Sequence, residues 1–265
     1  LTGISDSITQ KLETLKSCTV RAIDFYNQAN EIMNDAGFTL RSWATNDKTL
    51  RATITTDHKG DEETIVNTLG LRWNTQNDNI TYPPSSNLPY ALITKRIVLK
   101  STGSLFDPLG WLSPVHVRAK IFIQQLWLLK LTWDDPLPNE LASQWGNIQE
   151  ELCAARTISV PRRYFNIVDD TPVELHIFCD ASIHAYGAAA YLKYKYFVSL
   201  AMAKTRIKPL KDITLPRLEL MATLIGARLS KFMTNAFKSS HLQISSCTLW
   251  TDSEIVLHWL TCDKK

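Results

Sequence analysis

No run of the 265 residues approaches the roughly 18 to 20 apolar residues that a bilayer-spanning helix needs, and Leu1 onward lacks a basic then apolar leader. No membrane partner is expected. Cysteine is scarce. Cys18, Cys153, Cys179, Cys247 and Cys262 are odd in number and never closer than 15 residues, so neither a zinc knuckle nor a disulfide framework is suggested. That pattern suits a reducing, intracellular compartment, cytoplasmic or nuclear. Nor does charge of one sign dominate: 29 Lys and Arg against 26 Asp and Glu leave a net charge of +3, too small by itself to argue for a nucleic-acid partner. Repeats and low-complexity tracts are missing as well. The chain opens on Leu1 rather than Met, which suggests a piece of something longer.

What is present is a 45% hydrophobic content, enough for one large globular domain or two ordinary ones. The small net charge is unevenly spread. From Ala181 to Lys211 there is no acid, while Lys193, Lys195, Lys204, Arg206, Lys208 and Lys211 are basic. A second zone, Ala91 to Trp133, carries Lys95, Arg96, Lys100, Arg118, Lys120 and Lys130 against Asp107 alone.

The apolar spacing from Ser5 to Gly37 predicts one or two helices, with "GFTLRSWATND" turning into a strand. Alternation in "TLGLRWNTQNDNITY" predicts strands, and the Pro and Ser cluster after it a linker with a boundary near residue 90. "VHVRAKIFIQQLWLLKL" reads as a helix started by "SP", with Ile123, Trp127 and Leu131 on a buried stripe, and "LPNELASQWGNIQEELCAAR" as a second helix. "TISVPRRYF" is strand or loop. From Val173 the pattern predicts strands over 173–180, 185–192 and 196–203, a basic loop over 204–213, a helix over 215–236, a strand over 247–251 and a helix over 253–260. Three strands, a helix, a strand and a helix describe a mixed α/β (α+β) layer rather than a doubly wound sheet.

Three acids sit at ends of these elements. Asp180 closes the apolar run Leu175–Cys179, Glu219 occupies an early turn of an apolar helix, and Asp252 lies between an apolar strand and a helix. A carboxylate at the end of a buried strand is costly unless a cation meets it, and that cation is either a Lys or Arg of the fold or a metal ion. Magnesium takes hard oxygen ligands, and two such ions a few ångströms apart can activate a water and stabilise the leaving oxygen of a phosphodiester. Each acid also has a local reading: Glu219 favouring the helix dipole, Asp252 capping the helix that follows, Asp180 starting a turn with Ser182.

In order along the chain, "FCDAS..AYGAAAYL", "KTRIKPLK..TLPRLELMA" and "WTDSEIVLHW" resemble the ribonuclease H domain of Pao/BEL-type long-terminal-repeat retrotransposon Pol polyproteins. "TKRIVLKSTGSLFDPLGWLSPVHVRAKIFIQQLW" followed by "LTWDDPLP" is similar to the segment joining reverse transcriptase to ribonuclease H in those elements, and "LTGISDSITQ...AGFTLRSWATN" to the stretch after the polymerase's YVDD motif. The resemblance implies a reverse-transcriptase palm/thumb remnant over 1–90, a connection region over 91–170 and a C-terminally truncated ribonuclease H-like domain over 171–265. It implies that Asp180, Glu219 and Asp252 are catalytic, metal-binding carboxylates for Mg2+ or Mn2+, cleaving the RNA strand of an RNA–DNA hybrid. The polymerase carboxylates would fall before Leu1 and the fourth ribonuclease H carboxylate beyond Lys265. The partners implied are the hybrid and the rest of the Pol polyprotein.

The loop "KTRIKPLK", with Lys204, Arg206, Lys208 and Lys211, suits backbone phosphates, or is simply a solvated loop. Trp111, Trp127, Trp133 and Trp145 suit base stacking or, at helical spacing beside Leu and Ile, the core. His184 and His258 lie near the acids in sequence and read as ordinary structural histidines. The joining region of this family has also carried the label of an aspartic peptidase, which needs two carboxylates at Asp-Thr/Ser-Gly turns; "CDAS" and "TDSE" lack the glycine and "STGS" lacks the acid. A non-catalytic remnant that binds nucleic acid through its basic zones is the third reading.

Overall fold

The computed structural model describes residues 2–54, 64–84, 92–165, 171–238 and 243–262, with side chains from Thr19 onward. It divides into two compact units, Leu1–Thr81 with Ser159–Arg162, and Tyr82–Ile158 with Arg163–Lys265.

The first unit begins with α1 (Thr2–Asp35), a single helix that ends where Gly37 takes a left-handed φ of 78°. The strand expected over "GFTLRSWATND" does not form: Ser42 has φ 60°, Trp43 packs edge-on against Tyr26 at 5.0 Å, and Asp47 caps α2 (Lys48–Thr53) by accepting from Leu50 N–H. Only Trp43 makes a bridge there, and one bridge does not extend into a ladder. Two strands form within "TLGLRWNTQNDNITY", β2 (Leu71–Asn74) and β3 (Asn79–Thr81), and one that was not expected, β1 (Ile65–Thr68), forms just before them; the three are antiparallel, with β4 (Ser159–Pro161) added to β3. Leu69 and Gly70, both at positive φ, make the two-residue turn between β1 and β2.

The second unit holds α3 (Lys95–Gly103), α4 (Ser113–Leu128) and α5 (Asn139–Ala155), then β5 (Val173–Ala181), β6 (Ala185–Tyr194), β7 (Phe197–Ile207), α6 (Leu215–Phe237), β8 (Ile244–Trp250) and α7 (Glu254–Thr261). The architecture is the expected mixed α/β. The sheet order is β7-β6-β5-β8, antiparallel except for the parallel β5–β8 pair. Strict alternation sets its faces. Val173, Leu175, Ile177 and Cys179 turn inward with Ala188, Ala190 and Leu192 of β6 against Leu218, Ala222 and Leu229 of α6. Gly226 brings α6 close to β5, since a Cβ there would lie 2.3 Å from the Cys179 sulfur.

Burial pushes the Cys179 thiol up to about 11, whereas Cys247 and Cys262 are exposed. Alkylation by iodoacetamide at pH 8 is expected to label Cys247 and Cys262 in the folded chain and Cys179 only after denaturation, because the thiolate is the reacting form. Peptide mapping that found Cys179 labelled at the same rate would contradict this packing.

The buried side of α4 is Ala119, Phe122 and Leu126, with Phe122 stacked on the fully buried Trp145. The expected stripe through Trp127 is therefore displaced by one residue. Trp127 and Trp133 are both exposed and meet edge to face at 5.1 Å, with the Lys95 ammonium 4.1 Å from the Trp127 ring centre. The segment before α4 covers the edge of the second sheet: Ala203 N–H donates to Leu109 C=O and Trp111 Nε1–H to Ala201 C=O. Among the described residues no helix is long and apolar enough to cross a membrane.

Candidate active site

The inward alternation of β5 leaves its even-numbered residues facing out, so Asp180 is exposed, beside Phe178, rather than buried. The burial cost expected of Asp180 does not arise. Its Oδ1 accepts from the next amide, Ala181 N–H, at 2.7 Å, and the turn that follows is built by Ser182, whose hydroxyl accepts from the His184 and Ala185 amides. Asp180 lines an open groove of about 380 Å3 whose walls include Trp111, Phe178, Tyr191 and Thr205.

The parallel register relates the other acids to it. Phe178 of β5 is matched with Trp250 of β8, so Asp180, still paired with Gly187 of β6, and Asp252, past the end of β8, each stand two residues beyond the same pair at one end of the sheet. Asp252 is exposed and does not cap α7; Ser253 does, accepting from Val256 N–H. Ser253 also donates to Glu219 Oε2, which ties α6 to the β8–α7 junction. Glu219 is half-buried and lies beyond the first turn of α6, so the expected role at the helix dipole is not the one it takes. Ser253→Ala is expected to destabilise the chain by about 1 kcal/mol, the usual loss for a serine cap, seen as a lower urea midpoint at unchanged slope. An unchanged midpoint would place the start of α7 under other control.

The three acids therefore share one end of one sheet, yet their carboxylates are not drawn together. Among the described residues no group of three or more His, Cys, Asp or Glu is arranged to hold a metal ion. Two of the three are turned toward local donors, Asp180 to Ala181 and Glu219 to Ser253. Among the described residues no Lys or Arg forms an ion pair with any of them.

The sequence reading missed the outward face next to Asp180. Phe178 stacks on Trp250 at 6.1 Å and meets Tyr191 edge-on at 5.8 Å, while His176 stacks on the other side of the row, 6.0 Å from Trp250. Trp250 Nε1–H donates to His176 Nδ1, so the ring proton lies on Nε2, which donates to Glu174. That bond and a second from Lys193 hold the Glu174 carboxyl below its usual value. Period-two alternation in "VELHIFCDA" is the signal that separates these residues from the core.

Of the four expected phosphate contacts, Lys204 and Arg206 lie on β7, which runs on to Ile207, rather than in a loop. Lys208 is paired with Asp212 at 3.4 Å and Lys211 is exposed. His184 and His258 are exposed on a turn and on α7.

Residues 94–253 match the Pao retrotransposon-like RNaseH-like domain, a span that includes α3 to α5 and all three acids. A solved structure similar to this chain is a foamy viral protease-reverse transcriptase in complex with double-stranded DNA, at 12% identity and a TM-score of 0.40, covering 74% of this chain and 32% of that one. The chain thus spans about a third of that protein's length. No curated protein matches it. With more than half of its residues inside the match, the chain belongs to the Pao retrotransposon-like RNaseH-like domain family.

Proposed function

We propose that this chain is the ribonuclease H-bearing part of a Pao/BEL retrotransposon Pol polyprotein and that it cleaves the RNA strand of RNA–DNA hybrids at Asp180, Glu219 and Asp252. The observation that carries the reading is the β5–β8 register, which puts Asp180 and Asp252 at the same end of the sheet, with Glu219 tethered there through Ser253. The donor set suits Mg2+ or Mn2+: three carboxylates, hard oxygen donors, and no Lys or Arg among the described residues to neutralise them. Asp180, Glu219 and Asp252 would hold the ions. When bound, the ions supply water activation and charge neutralisation at the phosphate for in-line attack.

The chain's own residues do the positioning. Asp180 and Asp252 keep negative charge at the sheet end, Ser253 fixes the direction of Glu219, and the exposed Phe178 and Trp250 offer flat apolar surface beside the acids. On this reading residues 1–90 are the end of the reverse transcriptase, 91–170 the connection and 171–265 the ribonuclease H-like domain, working inside the cell.

The test is cleavage of a labelled RNA–DNA hybrid with magnesium or manganese, using this chain and one extended into its natural downstream sequence. Cutting of the RNA strand in the hybrid, with free RNA left intact, is the expected result. Silence from both folded chains would sink the nuclease assignment.

A further inference from the structure

A second cavity, of about 520 Å3, lies at the opposite face of β7 from the Asp180 groove, between α4, β7 and α6. Its lining is cationic. Lys120 comes from α4, Lys204 and Arg206 from alternate positions of β7, and Arg228 from α6; Asp107 is the one acid in the wall. Asp107 is already engaged, with Oδ1 accepting from Tyr82 Oη and Trp111 N–H and Oδ2 from Leu112 N–H. Four cations against one carboxylate leave a net charge of +3 around the cavity, and burial, with Lys120, holds His116 in its wall below the usual histidine range. None of the four cations has an ion-pair partner among the described residues. Like charges gathered without a counter-charge repel one another, and the arrangement is relieved when an anion enters.

We propose that this cavity binds backbone phosphates of a nucleic-acid duplex, through Lys120, Lys204, Arg206 and Arg228. The proposal rests on the nucleic-acid reading above and extends it to α4 and α6. A polyanion is favoured because Gly110, Ser113, Ala203 and Thr205 line both this cavity and the Asp180 groove. The two grooves thus adjoin, one on each side of the segment that covers the β7 edge. Lys204, Arg206 and Arg228 are exposed, as contacts to a backbone must be, whereas a site for a small free anion would enclose it.

The experiment is fluorescence anisotropy of a labelled RNA–DNA hybrid with EDTA present, over a salt series, so that cleavage has no bearing on the readout. The Lys120→Gln/Arg228→Gln chain is expected to lower the slope of log affinity against log salt by about 2, roughly one per phosphate contact, irrespective of hybrid sequence. Lys100→Gln, on the exposed part of α3, should leave the slope unchanged. Arg228→Gln alone, expected to lower the slope by about 1, repeats the test at an exposed position in case the double variant fails to fold. Equal slopes for wild type and folded cavity variants would overturn the cavity while leaving nucleic-acid binding in place. A control that falls as far as the cavity variants would overturn it too. Displacement of the hybrid by ATP at matched ionic strength would reassign the site to free nucleotides, and no binding by the wild-type chain at low salt would remove both readings.

Discussion

Asp180→Asn is expected to reduce cleavage of an RNA–DNA hybrid by roughly 100-fold or more, since even residues that only support a metal ligand typically cost 10- to 100-fold when lost. Stability should change little, within about 0.5 kcal/mol, because Asp180 is exposed and the hydrogen bond it accepts from Ala181 N–H can be kept by the asparagine carbonyl. The substitution separates the metal reading from the local one: a turn former tolerates Asn, whereas a metal ligand would lose the charge that holds its ion. A second readout is independent of turnover. Magnesium or manganese should raise the melting temperature of the wild-type chain by binding the folded state, and that rise should shrink in Asp180→Asn. Equal cleavage by the variant would return Asp180 to a local role.

Much of the second unit is legible in the sequence, because β5, β6 and α6 carry strong and distinct periods. Their inward residues, Leu175, Ile177, Ala188, Ala190, Leu218 and Ala222, follow the alternation or the helical repeat. The three acids were visible for a related reason, as charges at the ends of apolar elements. Their placement was less so. Reading Leu175–Cys179 as one apolar run hid the fact that Phe178 faces outward, and with it the exposure of Asp180 two residues on. Trp127 was misplaced because α4 is apolar on more than one side; packing against Trp145 selects Phe122 and Leu126, which the sequence of α4 alone does not distinguish.

Long-range pairings decided the remaining differences. Nothing local in "GFTLRSWATND" announces that its pairing stops at a single bridge residue, Trp43, whose ring packs on Tyr26. Lys204 and Arg206 were read as loop residues because basic side chains weaken a strand signal, yet β6 pairs with β7 through Ala185 and Ile207. Once on a strand, the two point the same way by period two, and this brings them to Lys120 and Arg228 from elements far apart in sequence. The expected joining region also meets the sheet. Residues 82–158 fall in the same compact unit, and Leu109 and Trp111 bond to its edge strand.

That docking predicts a large effect of Gly110→Ala. Gly110 has φ 72°, and a Cβ there would stand 1.9 Å from the Ala203 carbonyl oxygen, a backbone atom with no freedom to turn aside. A left-handed alanine costs about 1–2 kcal/mol, and forcing a methyl into a packed contact adds roughly 1–3 more. The chain can escape only by moving the 109–111 segment off β7, which breaks the Ala203–Leu109 and Trp111–Ala201 hydrogen bonds and uncovers the sheet edge. A loss of about 3 kcal/mol is therefore expected, seen as a fall in melting temperature of about 6–12 °C for a unit of this size. Gly146→Ala is the matching control, since it lies inside α5 with nothing within 4 Å of an added Cβ, and should gain about 0.5–1 kcal/mol. Because Gly110 lines both grooves, Gly110→Ala chains that remain folded should also bind the hybrid more weakly at low salt. An unchanged melting point would mean that the segment before α4 does not rest on the edge of the sheet.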